Sequence, residues 1–129
     1  ASDVRASNAG EALNRAAQAI GVTIERIGVF PAEGTENALL AAAAARECLT
    51  NLVRHAKGKR LQIHGTEREN AWVIAYLNDG IVPNAPIVEG SGLSALRART
   101  EAAGGIMTVE HAPRFCLTLT LPKERRESK

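Results

Sequence analysis

One amphipathic segment constrains the fold of this chain more than any other stretch. It runs Arg46-Glu47-Cys48-Leu49-Thr50-Asn51-Leu52-Val53-Arg54-His55-Ala56. On a helix, its apolar residues recur at the three-and-four spacing of a buried stripe: Ala45, Leu49, Leu52, Val53 and Ala56. Its polar residues line the opposite stripe, about one and two turns apart: Glu47, Asn51, Arg54 and His55. An acid, a neutral amide and two potential cations on one stripe favour a metal–phosphate site, and the alternative is a solvated helix face.

Length and charge narrow the class of protein. A chain of 129 residues is long enough for one domain with a real core. Only 3% of the residues are aromatic, so the core must be built from aliphatic side chains. The formal net charge of +2 comes from the tail 123–129, which has four basic and two acidic residues. The rest of the chain is nearly neutral and has no basic stripe, which argues against a nucleic-acid partner.

The two cysteines and the hydropathy pattern exclude further classes. Cys48 and Cys116 are too few for a disulfide framework, no Cys/His metal cluster is apparent, and both are interpreted as small core residues. The sequence contains neither a signal peptide nor an apolar run long enough to cross a bilayer. It therefore predicts a soluble, cytoplasmic domain, and the parent protein can still be membrane-anchored.

The periodicity of apolar residues predicts alternating helices and strands. Helices are expected over 11–20, 36–56 and 93–103, and strands over 22–29, 60–66, 71–78, 106–110 and 115–121. The last strand places its large apolar residues on one face, so its sheet should cover a core on one side only. We predict an α/β (α+β) two-layer sandwich, in which helices pack on one face of a mixed, mostly antiparallel sheet. Residues 1–10 are expected to be a linker or a disordered N-terminus, 11–122 the domain, and 123–129 a charged tail.

Two further motifs follow the amphipathic helix. Asn78-Asp79-Gly80 ends a strand, where Gly80 permits close approach of a base edge. Gly90-Ser91-Gly92-Leu93 opens the next helix, whose free N–H groups and positive dipole end attract anions such as phosphates. The alternative for this second motif is an ordinary loop hinge and helix start.

In this order the three motifs resemble the ATP-binding domain of two-component sensor histidine kinases, which has the Bergerat fold shared with gyrase and the MutL repair proteins. The nitrate-sensing and desaturase-regulating branch is most similar, since its first motif typically reads Arg-Glu-x-x-Thr-Asn-x-x-Arg/Lys-His-Ala, as Arg46 to Ala56 does. The resemblance covers roughly residues 11–122.

The resemblance implies ATP and Mg²⁺ as cofactors. Mg²⁺ takes oxygen ligands, mostly from phosphates and water, and Asn51 would supply one protein ligand. Glu47 would be the catalytic carboxylate that orients a nucleophile or accepts its proton; the alternative is a surface ion pair. Arg54 and His55 would contact phosphate, or instead compensate the helix dipole. The full set of implied nucleotide contacts is Asn51, Arg54, His55, Asn78, Asp79, Gly80, Gly90, Ser91, Gly92 and Leu93.

Two departures concern recognition of the base. The family motif reads Asp-x-Gly-x-Gly, whereas this chain has Asn78 at the first position and Val82 in place of the second glycine. Asparagine can accept a hydrogen bond from the adenine N6 amino group, but it lacks the carboxylate charge, so weaker adenine selectivity is expected. The loop 81–89 contains two prolines and is expected to be a small, stiff lid.

The sequence thus predicts the catalytic ATP-binding domain of a sensor histidine kinase. Its expected partners are the kinase's own histidine-bearing dimerisation domain, which is absent from this chain, and a response regulator; the parent is expected to be a homodimer. Alone, the chain should bind nucleotide without autophosphorylating. The alternatives are a degenerate, non-catalytic interaction module of the same fold and an anti-sigma-type serine kinase.

Overall fold

A computed structural model describes residues 9–85 and 87–123. It contains three α-helices, one π-helical turn and five strands within these ranges. In chain order they are α1 (Ala9–Ala19), β1 (Thr23–Gly28), α2 (Glu36–Asn51) with the π-turn (Leu52–Ala56), β2 (Arg60–Glu67), β3 (Ala71–Asn78), α3 (Ser91–Ala102), β4 (Ile106–Glu110) and β5 (Cys116–Pro122).

The five strands form one mixed sheet in the order β1-β2-β3-β5-β4. β1 pairs with β2 in parallel, and all other pairs are antiparallel. The parallel pair requires a crossover, and α2 with its π-turn provides it. The predicted fold class, a mostly antiparallel mixed sheet with helices on one face, is confirmed.

The core lies between the helices and one face of the sheet. Alternation along the strands buries a ladder of side chains on that face: Leu61, Ile63, Ile74, Tyr76, Leu117, Leu119 and Leu121. The alanine-rich part of α2 lets the helix approach the sheet closely. One buried bond connects the layers, because the Tyr76 hydroxyl donates to the carbonyl oxygen of Ala41 at 2.7 Å. This packing fixes which stripe of α2 remains outside the core.

The two ends of α2 are built differently. The N-terminus is capped by Thr35, whose hydroxyl accepts from the backbone N–H of Ala38 at 3.2 Å. At the other end the N–H of Lys57 reaches back five residues to the carbonyl of Leu52 at 2.6 Å, and Lys57 adopts a left-handed conformation with φ 58°. The wider π-turn changes the angular spacing of the side chains. Val53, predicted to be buried, is therefore 42% exposed, whereas Leu52 is fully buried.

Two features lie near the predicted ends of the domain. α1 begins at Ala9, two residues before the predicted start at residue 11. Lys123, assigned to the tail, is held against the sheet by an ion pair with Glu67 at 2.8 Å and lies over the Trp72 ring. Residues 1–8 and 124–129 lie outside the described residues. Among the described helices, each is too short or too polar to cross a membrane.

Candidate functional site

A cleft lies where the C-terminal half of α2, the described part of the loop 81–90, the start of α3 and the residue preceding β5 converge. Its volume is about 590 Å³, within the range of roughly 300–1,000 Å³ typical of small-ligand sites. Its lining residues are Glu47, Thr50, Asn51, Arg54, Ile81, Pro83, Ile87, Val88, Gly90, Ser91, Gly92, Leu93 and Phe115. The cleft therefore has one polar wall and one apolar wall.

The polar wall is the outward stripe of α2 and its π-turn. Glu47 and Asn51 are one helical turn apart and half-buried, and Arg54 follows in the π-turn with its side chain exposed. Thr50 lies beside them and completes the spacing of three, four and seven residues from Glu47. The first motif thus presents a carboxylate, an amide, a hydroxyl and a guanidinium to one cavity.

The apolar wall comes mainly from the loop 81–90, with Leu93 and Phe115 behind it. Ile81 and Val88 are exposed, Val88 to 91%, whereas Phe115 is 2% exposed. An exposed apolar loop beside a cavity gives a flat ring or base a surface to pack on. The sequence predicts that this loop is a lid, but it indicates no role for the side chains of the loop, for Thr50 or for Phe115. Of these residues, only Thr50 could have been identified from the sequence, because it lies within the first motif next to Asn51.

Gly92, in the first turn of α3, lies directly against Glu47. A β-carbon at position 92 would collide with the Glu47 carboxylate, whereas one at Gly90 would meet no atom within 4 Å. The missing side chain at Gly92 therefore lets the carboxylate approach the N-terminus of α3. Because that helix end carries free N–H groups and a positive partial charge, it stabilises an anion placed there.

The turn Asn78-Asp79-Gly80 is not part of the lining of the cleft, and two of its side-chain oxygens have local partners. Asp79 Oδ1 accepts from the backbone N–H groups of Lys59 at 2.8 Å and Arg60 at 2.9 Å. The Arg60 bond is the main cause that lowers the pKa of Asp79. Asp79 therefore fixes the start of β2, a structural role that the sequence did not predict. Asn78 Oδ1 accepts from the N–H of Gly80 at 2.9 Å.

The end of the lid loop is anchored by an ion pair. Arg97 in α3 donates from Nε to both Glu89 oxygens at 3.1 Å and from Nη2 to Glu89 Oε2, while its Nη1 donates to the carbonyl of Met107 at 2.7 Å. These bonds, above all the side-chain hydrogen bond to Arg97, lower the pKa of Glu89. One guanidinium thus connects the loop, α3 and β4, and holds the apolar wall at its C-terminal end.

The residues offer a limited but suitable set of metal ligands. The described residues contain no group of three His, Cys, Asp or Glu side chains able to hold a metal alone. Mg²⁺ accepts one or two protein oxygens when phosphates and water supply the rest. Asn51 presents such an oxygen to the cleft, so the residues fit a nucleotide-borne Mg²⁺ better than a dedicated protein-held metal.

The structure brings together most of the residues that the sequence singled out. Seven of them line one cleft: Glu47, Asn51, Arg54, Gly90, Ser91, Gly92 and Leu93. Asn78, Asp79 and Gly80 are not among its lining residues. The side chain of His55 is outside the described residues, although its backbone is part of the π-turn.

No protein-family model matches the chain. Among curated proteins it is similar to the signal transduction histidine-protein kinase/phosphatase UhpB of Salmonella typhimurium, with 27% identity over 79 residues. This match covers 60% of the chain but 16% of UhpB, so the chain corresponds to a small part of that relative.

Solved structures show the fold more completely. The ATP binding domain of PrrB from Mycobacterium tuberculosis superimposes with a TM-score of 0.69 at 18% identity, covering 92% of this chain and 94% of that one. The histidine kinase AdeS of Acinetobacter baumannii gives 0.71 at 13% identity, covering 91% and 64%. The histidine kinase domain of the EL346 blue-light activated kinase from Erythrobacter litoralis gives 0.58 at 18% identity, covering 88% and 60%. The chain has the fold of histidine kinase ATP-binding domains.

Proposed function

We propose that this chain is the catalytic, ATP-binding domain of a sensor histidine kinase, which binds Mg·ATP and presents the γ-phosphate to a histidine on a separate dimerisation domain. The observation that carries the proposal is the convergence of Glu47, Asn51, Arg54 and the Gly90–Leu93 helix start on one cleft. These groups come from two segments about forty residues apart in the chain, and each is of a type that phosphoryl transfer needs.

The start of α3 is the proposed phosphate-binding element. Its first N–H groups have no partners within the helix, and Gly90 at the cap adds no side chain that would block an approaching phosphate. Arg54, on the facing wall, adds a positive charge that pairs with phosphate oxygens. Anion-binding groups on both sides of the cleft orient a triphosphate along its floor.

Asn51 is the proposed protein ligand of the metal. Bound Mg²⁺ would neutralise the charge that develops on the β- and γ-phosphates during transfer. A neutral amide suits this role, because it donates an oxygen without adding a second negative charge beside the phosphates. The residue lies one turn from Glu47 on the same stripe, so the metal-binding and reacting ends of the site are adjacent.

Glu47 is the proposed catalytic carboxylate. From the wall beside the α3 N-terminus it can accept a hydrogen bond from the imidazole N–H of an incoming histidine. This bond orients the opposite ring nitrogen towards the γ-phosphate. As the new N–P bond forms, the bond between the γ-phosphorus and the bridging oxygen would break, ADP would leave, and the carboxylate would take up the imidazole proton. None of the described α-helices carries a histidine that could act as the acceptor, so we expect the isolated chain to bind nucleotide without phosphorylating itself.

Calorimetry tests the binding half of the proposal. Mg·ATP and a non-hydrolysable analogue should both bind with a stoichiometry of one, and binding should weaken when EDTA removes the metal.

Transfer is tested by joining the domain to the histidine-bearing helices of its parent protein and adding the response regulator. Acid-labile phosphohistidine is expected; acid-stable phosphoserine on an added protein would support the anti-sigma alternative.

A second candidate is a degenerate interaction module that has the fold but not productive nucleotide binding. It is favoured by Asp79, whose Oδ1 accepts from two N–H groups at the start of β2, and by Asn78, which is not among the lining residues of the cleft. The same titration separates the two candidates. Absence of binding heat at millimolar ATP, ADP and GTP would favour the module.

A further inference from the structure

Glu89 is turned away from the cleft, although both of its neighbours in the chain line it. Val88 and Gly90 are lining residues, whereas Glu89 is not among them. Its carboxylate instead accepts hydrogen bonds from Arg97 in α3: Nε donates to Oε1 and Oε2 at 3.1 Å each, and Nη2 donates to Oε2. Because Glu89 immediately precedes the cap residue of α3, the position of its charge relative to the helix start depends on this pair.

Arg97 is itself anchored to the edge strand β4. Its Nη1 donates to the Met107 carbonyl at 2.7 Å, and Arg97 does not line the cleft. The side chains of Arg97 and Glu89 are only 33% and 23% exposed. A partly buried pair with several bonds keeps its geometry better than an ion pair between two exposed, flexible side chains. The Glu89 carboxylate is therefore held on the side of α3 that faces β4.

The charges of the cleft make another carboxylate at the start of α3 unfavourable for a phosphate. The charged lining residues are Glu47 and Arg54, whose formal charges cancel. Glu47 already lies against Gly92 in the first turn of α3. The N-terminus of a helix carries roughly half a positive charge, which attracts a carboxylate as well as a phosphate. A Glu89 carboxylate released from its partner would therefore compete with phosphates for this helix end and repel them.

We infer that Arg97 is a positioning residue for nucleotide binding, which holds the Glu89 carboxylate away from the start of α3 and so leaves that helix end to the phosphates. The inference rests on the proposed function and assigns Arg97 no contact with the nucleotide. Arg97 acts through Glu89, because it neutralises the carboxylate and turns it towards β4. If the charge of Glu89 is removed, Arg97 consequently becomes dispensable for binding.

The alternative is a purely structural clamp that joins the loop, α3 and β4. In that case the loss of Arg97 would weaken nucleotide binding because the clamp itself is broken. Removing the charge of Glu89 as well could not restore binding, since the clamp would still be broken. The two roles therefore predict opposite results for one double variant.

The test is calorimetry with Mg·ATP on the wild type, Arg97→Ala, Glu89→Gln and the double variant Arg97→Ala/Glu89→Gln. Arg97→Ala should bind about fivefold more weakly than the wild type, because the Glu89 charge near the helix start is no longer compensated. This deficit should shrink at high salt, which screens the carboxylate. Glu89→Gln and the double variant should both bind within about twofold of the wild type, since glutamine keeps the shape without the charge.

Two controls separate this effect from a loss of stability. Arg99→Ala removes an equal charge from an exposed position of the same helix and should bind Mg·ATP like the wild type. Arg97→Ala and the double variant both lack the bond to the Met107 carbonyl, so urea unfolding should show comparable destabilisation in the two. Recovered binding in the double variant then cannot come from recovered stability. Arg97→Met, which retains the aliphatic stem, should give the same pattern as Arg97→Ala.

The outcomes distinguish this inference from the proposed function. Equal affinity of Arg97→Ala and the wild type would overturn the inference and leave the proposed function intact. A double variant as weak as Arg97→Ala would also overturn it, because binding would then need the clamp and not the removal of a charge. If the wild type does not bind Mg·ATP, the inference fails together with the proposed function.

Discussion

The carboxylate of Glu47 lies against the α-carbon of Gly92, so that the reacting end of α2 touches the first turn of α3. The contact joins the two motifs that the sequence separates by about forty residues. It gives Gly92 a specific role, because any side chain there would occupy the space that the carboxylate uses. The two glycines of this motif are consequently not equivalent.

Gly92→Ala should impair transfer more than stability. The new β-carbon displaces the Glu47 carboxylate, which can swing away at small cost because it is the end of a flexible side chain. We expect the free energy of unfolding to change by less than about 1 kcal/mol. Phosphoryl transfer in the full-length kinase should fall about tenfold to a hundredfold, since a misplaced catalytic group is costly. Urea unfolding and a transfer assay measure the two quantities.

The comparison variant is Gly90→Ala, whose β-carbon meets nothing within 4 Å of the chain and which tests phosphate access at the helix start instead of the position of Glu47. It should leave Glu47 in place. Equal transfer rates for Gly92→Ala and the wild type would show that the position of the Glu47 carboxylate is irrelevant to transfer.

Asn51→Ala should weaken metal-dependent nucleotide binding without unfolding the domain, because the side chain faces the cleft rather than the core. Loss of a metal-linked oxygen contact should cost about 1.5–3 kcal/mol of binding free energy. Calorimetry with and without Mg²⁺ measures the difference. Asn14→Ala, on an exposed helical asparagine away from this cleft, serves as the control. If Asn51→Ala binds Mg·ATP with the same affinity as the wild type, Asn51 is not a ligand of the metal.

Glu47→Gln should slow transfer to histidine more than it weakens nucleotide binding. Glutamine retains the size and one acceptor oxygen, but it cannot take up a proton and does not carry the charge that stabilises a developing imidazolium. The measurement is single-turnover phosphorylation in the full-length kinase alongside the dissociation constant of Mg·ATP. If the transfer rate and the affinity for Mg·ATP fall by the same factor, Glu47 acts in nucleotide binding and not in the transfer step.

Arg97→Ala should destabilise the domain in a pH-dependent way. The guanidinium donates to Glu89 and to the Met107 carbonyl, so its loss should cost about 1–2 kcal/mol at pH 7. Arg97 holds the folded-state pKa of Glu89 below its ordinary value. The Glu89 contribution is therefore present above the unfolded-state pKa, about 4.3, and is lost as the pH falls through the lower folded-state pKa.

Urea titrations between pH 3 and pH 7 should accordingly show the stability gap between wild type and Arg97→Ala narrowing at the acid end. Arg99→Ala, an exposed arginine on the same helix, is the control and should show little change at any pH. If the difference in unfolding free energy between the two proteins stays constant down to pH 3, the ion pair between Arg97 and Glu89 does not contribute to stability.

The local pattern predicted the elements well, for a physical reason. Alternation has a period of two residues and depends only on neighbours, so β3 was predicted at its observed bounds, Ala71–Asn78. The cap at Thr35 is likewise local, since its hydroxyl bonds to a backbone group three residues away. The outward stripe of α2 was also predictable, because burying the opposite face leaves Glu47 and Asn51 outside the core.

The sequence alone therefore determined the elements, the fold class and the polar stripe of α2. Only the tertiary structure decided which distant groups meet: Glu47 with Gly92, Arg97 with Glu89 and Met107, and Phe115 with the cleft. It also decided that Asp79 accepts hydrogen bonds from the start of β2 and that Asn78 Oδ1 accepts from the Gly80 N–H. These outcomes depend on contacts between residues up to about seventy positions apart. No local periodicity encodes such contacts, and packing of the helices on the sheet selects them.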